Sequence, residues 1–149
     1  ESKNFLFTGD LESDGEAELV KLNNLPNVDL FKAGHHGSYT SSTETLLSVI
    51  KPKVVCVCCC AGGSEYTDNS ANQFPSQDFI NRIAPYTTAV FVTSLAVDYE
   101  NNIFTSFNGD IVCFVKDEEL DIRCSNNNTF LKDTDWFKQN RECPSAWKT

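Results

Sequence analysis

The sequence predicts an α/β fold, with helices laid against a sheet. Two observations predict it. Short apolar runs alternate with helical stripes in the order βαβαβαβ, and the run from Lys53 to Cys60 is nearly continuous in apolar residues, as in a strand buried on both faces. Each changeover is marked by Gly or Pro.

The elements follow in order. Asn4-Phe5-Leu6-Phe7-Thr8 is a strand stopped by Gly9-Asp10. Ser13 with Glu16 reads as a capping box, and Ala17, Leu19, Val20 and Leu22 continue a helix that ends before Pro26. Val28 to Ala33 is a second strand, closed by Gly34. Ser41 with Glu44 reads as another capping box, and Leu46, Leu47, Val49 and Ile50 form a stripe ended by Pro52. After the Cys-rich strand, Ala61 to Phe74 is a long polar loop, of a length that is often functional. Pro75-Ser76 opens a third helix carrying Phe79, Ile80 and Ile83, and Ala89 to Thr93 is a fourth strand. Ile103 to Phe107 and Asp110 to Val115 flank Asn108-Gly109, which predicts a β-hairpin with a type I′ turn. Leu120 to Cys124 is one more strand. Residues 125–149 form a polar tail in which Thr134 caps a turn and Trp136, Phe137 and Trp147 dock back onto the body.

Composition narrows the function. The 149 residues are 40% hydrophobic and 22% charged, a folded composition. No apolar run approaches the ~18 residues of a membrane span. Twelve Lys and Arg against 21 Asp and Glu give a net charge of -9, which argues against a stand-alone nucleic-acid surface. It leaves room for an enzyme that meets phosphates through bound metal. The chain has no Met and opens on Glu1, so a processed chain or an excised fragment is expected. Of seven cysteines, four sit at 56, 58, 59 and 60, where alternating strand faces suit packing better than disulfides. Cys124 and Cys143 can pair in an oxidising compartment, so the compartment stays open.

Two segments carry chemistry. Thr8-Gly9-Asp10 puts an acid at a strand exit, and Gly34-His35-His36-Gly37-Ser38 follows the next strand. Ligands in α/β sheets bind beyond the carboxyl ends of strands, so Asp10 and a histidine are expected side by side. Asp and His are ordinary zinc ligands, and a carboxylate can bridge two ions. His35 and His36 are the only histidines of the chain. The plainer readings are that Asp10 caps a turn and that the histidines face solvent or backbone. Ser38, Thr40, Ser41 and Ser42 read as loop and cap residues.

These segments, with Phe5 to Glu12, Gly15-Glu16, Asp29 to Ser38, Thr40-Ser41-Ser42, Ile50 to Val55 and Asn108 to Ile111, resemble the metallo-β-lactamase-fold domain of competence protein ComEC and its relatives over roughly residues 4–115. The resemblance implies that residues 1–149 are the C-terminal half of an αββα sandwich holding two zinc ions. It implies Asp10 as the bridging ligand and the His-His-Gly-Ser loop as the last histidine ligand. The related motif His-aromatic-Gly-Thr favours His35 as that ligand, with His36 facing substrate as a catalytic residue; both histidines are candidate ligands. The main metal motif His-x-His-x-Asp-His is absent. The Tyr-Gly-His-Pro stretch reads Asn72-Gln73-Phe74-Pro75, without its histidine.

The implied activity is metal-dependent hydrolysis of a phosphodiester or related ester, with DNA less comfortable at this charge. The alternative is a non-catalytic binding or accessory module of the same fold. The implied partner is the N-terminal half of the domain or a second copy of the chain, because half a sandwich leaves a face or an edge uncovered. The source would be bacterial, in the cytoplasm or at the cell surface.

Overall fold

A computed structural model describes residues 2–98 and 101–148. It is a mixed α/β structure with a parallel-rich sheet. The elements are β1 (Phe5–Phe7), α1 (Ser13–Leu22), β2 (Leu30–Lys32), α2 (Glu44–Ile50), β3 (Val54–Ala61), α3 (Gln77–Ile83), β4 (Val90–Asp98), β5 (Ile103–Thr105), β6 (Ile111–Lys116), β7 (Glu119–Cys124) and α4 (Asp135–Asn140). The sheet runs β1-β2-β3-β4-β5, and β6-β7 form a separate two-stranded ribbon. The first four strands are parallel and β5 returns antiparallel beside β4.

Strand order equals chain order, so every crossover steps the same way. Right-handed crossovers then place α1, α2 and α3 on one face. That face holds the core: Phe31, Val55, Val57, Val90 and Val92 meet Leu46, Leu47, Ile50, Phe79, Ile80 and Ile83, all buried. The opposite face is only partly covered. Phe91 packs edge-on against Phe130, with centroids 5.2 Å apart, whereas Phe5 and Phe7 are exposed. Between them Leu30, Cys56 and Cys58 line a groove of about 340 Å³ with Ile111 and Cys113. The expectation that β3 is buried on both faces holds for its first half, where Val55, Cys56 and Val57 are buried in succession, and fails at Cys58. One-sided crossovers leave Cys58 exposed while Val57 is fully buried.

The tail is anchored by its aromatic residues. Thr134 caps α4 by accepting from Phe137 N–H at 3.1 Å. Leu131, Trp136, Phe137 and Trp147 enter the core, and Trp147 Nε1–H donates to Thr87 O at 2.9 Å. All seven cysteines are free thiols, so Cys124 and Cys143 are unpaired. Among the described residues, no helix is long and apolar enough to cross a membrane.

Three local expectations are corrected. Asn108-Gly109 is not a hairpin turn: β5 pairs with β4, and β6 pairs with β7. Asn108 is buried, its amide donating to Val92 O and Thr129 O and accepting from Thr129 N–H. A side chain bracketing two segments outweighs the local turn preference. The true reversal is Asp117-Glu118, with φ of 50° and 63°, the paired positive values that a type I′ turn requires. The other two corrections are the capping boxes. Glu12, not Ser13, is the N-cap of α1, and Thr43, not Ser41, is that of α2. Glu16 leaves its own helix end and reaches across to α2, accepting from Ser42 N–H, Thr43 N–H and Thr43 Oγ1–H at 2.6, 2.7 and 2.6 Å.

Candidate metal-binding and catalytic site

Parallel strands deliver three loops to one edge: Thr8 to Glu12 after β1, Gly34 to Thr43 after β2, and residues 61–76 after β3. The first two are tied directly, since His35 N–H donates to Gly9 O at 2.9 Å. Gly34 sits in tight quarters, since a Cβ there would lie 3.1 Å from Thr8 Oγ1 and 3.2 Å from Ser41 Cβ. His35 and His36 both take left-handed backbone, with φ of 43° and 56°, conformations uncommon for residues with a Cβ. Gly37 continues the turn at φ 78°, where Pro75 would crowd a Cβ at 2.9 Å.

That conformation is held from two sides. The buried carboxylate of Glu16 takes the amides of Ser42 and Thr43. Arg82 donates to the carbonyls of Ser41, Ser42 and Tyr39 at 2.8, 3.0 and 3.0 Å. Burial lowers the Arg82 pKa, and Asp78, Glu16 and Glu44 work against that shift. The four residues Ser38, Thr40, Ser41 and Ser42 are loop residues, as expected: Ser38 and Thr40 hydroxyls bond each other, Ser41 Oγ–H donates to Leu11 O, and Ser42 Oγ accepts from Gly34 N–H.

The two histidines diverge. His36 Nδ1 lies 2.6 Å from Cys58 O, and its Nε2 lies 3.9 Å from Asp10 Oδ1. β2 ends at Lys32, so β3 beyond Cys56 has an open edge there, and the ladder to β4 slips between Val57 and Cys60. Thr93 Oγ1 fills that slip, accepting from Cys59 N–H and donating to Cys59 O. Irregular pairing of this kind commonly re-aims groups beside a site. A carbonyl only accepts, so His36 carries its proton on Nδ1. Its Nε2 is the ring nitrogen that faces the Asp10 carboxylate. In the neutral tautomer that nitrogen carries a lone pair and, with the carboxylate, can hold a cation; in the protonated ring it is an ion-pair donor to Asp10.

His35 points elsewhere, its Nδ1 3.3 Å from Glu12 Oε1 but buried without an aligned hydrogen bond. The structure thus brings Asp10 to His36 and sets His35 beside Glu12. Among the described residues, no group of three or more His, Cys, Asp or Glu converges as a metal site would.

Phe74 lies against both histidines. Its ring stacks on His36 at 5.9 Å and 24° and tilts on His35 at 5.6 Å, and Tyr66 tilts on it at 5.3 Å. Phe74 and Tyr66 line both a cleft of about 170 Å³ with His36, Cys58 and Glu65 and one of about 300 Å³ with His35, Glu12 and Tyr39. Tyr66 and the Cys58 carbonyl had no signal in the sequence, and Glu12 had only its place at the end of the Phe5-to-Glu12 segment. Phe74 had one: it stands where the resemblance expects a histidine.

The chain is similar to Recombination protein 2 and ComE operon protein 3. With Recombination protein 2 of Haemophilus influenzae it is 31% identical over 101 residues, 66% of this chain and 11% of that protein. With ComE operon protein 3 of Bacillus subtilis it is 39% identical over 55 residues, 36% of this chain and 7% of that protein. The match therefore spans about a tenth of the length of these relatives or less. No family model matches the chain, and no solved structure does.

Proposed function

We propose that this chain is the C-terminal half of a metallo-β-lactamase-like sandwich and contributes part of a zinc-dependent hydrolase site, with a phosphodiester or related phosphoester as substrate. One observation carries the reading: His36 Nε2 lies 3.9 Å from Asp10 Oδ1 at the carboxyl ends of adjacent parallel strands. That gap is no wider than two zinc–ligand bonds of roughly 2.0–2.2 Å each. The Cys58 carbonyl on Nδ1 is the usual outer partner of a ligating histidine. The uncovered sheet face with Phe5 and Phe7 supports the half-sandwich part of this reading, and the relatives' names bear only on a link to recombination and to an operon of the ComE series.

In this assignment Asp10 and His36 are ligands. His35 sits at the substrate side, with Glu12 to orient it and to hold a proton. A bound zinc ion would lower the pKa of a coordinated water toward ~7 and polarise the phosphoryl group. The chain's own groups fix the tautomer of His36, supply the negative charge of Asp10 and wall the site with Phe74. A catalytic zinc takes three protein ligands and an open position, so two donors are an incomplete set. The remaining ligands come from the complementary half, or from a second copy of the chain.

Zinc titration of the 149-residue chain with a competing chromogenic chelator tests this. Weak zinc binding is expected, reduced at least tenfold by either Asp10→Ala or His36→Ala, with no turnover of a chromogenic phosphodiester. Tight stoichiometric zinc with turnover, or variants that bind like the parent, would refute the assignment. A non-catalytic module is the second reading, favoured by Phe74, an inert ring in contact with both histidines. Absence of any zinc binding in the unmodified chain selects it.

A further inference from the structure

We propose that Arg141, in the C-terminal tail, is the positioning residue that sets Phe74 against the two histidines. This rests on the reading of that histidine pair as the site. Arg141 is 9% exposed. Its Nη2–H donates to Gln73 O at 2.8 Å and its Nε–H to Pro75 O at 3.1 Å, the carbonyls on either side of Phe74. A further donor goes to Asn140 O at 2.8 Å. The guanidinium lies 4.7 Å from the Trp136 ring centroid, a cation–π contact within the tail.

Trp136 grips the other end of the same loop. A Cβ on Gly62 would lie 2.3 Å from Trp136 Nε1, so the indole fits there only because residue 62 is glycine. Gly62 N–H donates to Phe74 O at 2.9 Å. Gln77 and Glu142 add a reciprocal pair, side-chain amide to carbonyl and backbone amide to side-chain carbonyl, at 3.0 and 2.9 Å. The tail therefore fixes residues 62, 73 and 75, and with them the ring between them.

The chemistry separates this from simple stapling. A tail needs only apolar contact to dock, and Leu131, Phe137 and Trp147 already supply it. Burying a guanidinium is costly, and at Arg141 burial lowers the pKa to about 10, which still leaves it charged at neutral pH. Its planar fork serves two carbonyls at once, which an ammonium does not. Those donors are spent on the segment that carries Phe74, and Phe74 lines both clefts in contact with the two histidines.

The test uses the whole chain and needs neither metal nor turnover. The protein holds two histidines, so their ring-proton NMR signals report only His35 and His36. Phe74→Leu removes the ring and is expected to shift both histidines. Arg141→Lys keeps charge and stem but loses the fork, and is expected to shift both in the same direction by a smaller amount. The Trp147 indole signal, set by its bond to Thr87 O, should stay in place. Histidine signals at their original positions in Arg141→Lys would overturn the proposal, as would an unmoved pair in Phe74→Leu. Loss of the Trp147 signal in Arg141→Lys would also overturn it, by making Arg141 a general fold element. Failure of zinc binding refutes the metal assignment and leaves these shifts standing.

Discussion

Glu16→Ala is the most informative stability perturbation. Glu16 is fully buried in α1, yet among the described residues its side-chain hydrogen bonds go to the segment that opens α2. Truncation strands the Ser42 and Thr43 amides and the Thr43 hydroxyl. The hydroxyl can rotate to another acceptor; the two amides cannot. Leaving a buried donor unsatisfied costs about 1–3 kcal/mol, so two amides and a partial loss at the hydroxyl sum to about 3–5 kcal/mol. For a domain of this size that is about 6–20 °C in Tm, at roughly 2–4 °C per kcal/mol. Glu16→Gln retains one acceptor oxygen but turns an NH2 group toward donors, so about half the loss is expected. The assay is thermal melting of the 149-residue chain, with urea unfolding to check that the m-value is unchanged. A Glu16→Ala loss under about 1 kcal/mol would refute the reasoning, because water would then be able to replace the carboxylate. The same variant should broaden the His35 and His36 signals, since Ser42 also anchors Gly34.

Four further outcomes are expected. Asn108→Ala removes a buried bracket of three hydrogen bonds and should cost about 2–4 kcal/mol in urea unfolding; a loss like that of an exposed Asn would contradict the bracket. Replacing Asp117-Glu118 by Asn-Gly should raise stability by about 0.5–1 kcal/mol, because both positions already have positive φ; a loss would mean that the reversal is misplaced. Asp29 has a lowered pKa, held down by the Asn4 amide first and by Lys53 second, against a smaller opposing effect of burial. Its contribution is present above the ordinary value of 3.8 and is lost as pH falls through the lower folded value. Asp29→Asn should therefore melt earlier than the parent at pH 7, with a deficit that shrinks as pH falls through the folded value; a deficit that does not change with pH would remove the charge from the explanation. Cys56, pushed up to about 12 by burial with help from neighbouring thiols, should react with a thiol reagent far more slowly than exposed Cys58 at pH 8, read by mass spectrometry of the modified peptides.

Much of the architecture is written in local sequence. Alternating apolar runs and helical stripes specified βαβαβαβ, because strand and helix periods leave marks over a few residues. The same pattern puts Asp10 and the His35-His36 loop at one edge, since consecutive parallel strands end on the same side. Thr134 as a cap and the burial of Trp136, Phe137 and Trp147 were legible for the same local reasons. Three-dimensional packing settled what depends on distant partners. Glu16 reads as a capping-box acid until α2 is beside it, and Asn108-Gly109 reads as a turn until Val92 and Thr129 bracket the amide. His36, not His35, meets Asp10, because the open edge of β3 offers the Cys58 carbonyl to one ring alone. Neither local propensity nor motif spacing encodes that choice; it is set by where β2 stops and where β3 slips against β4.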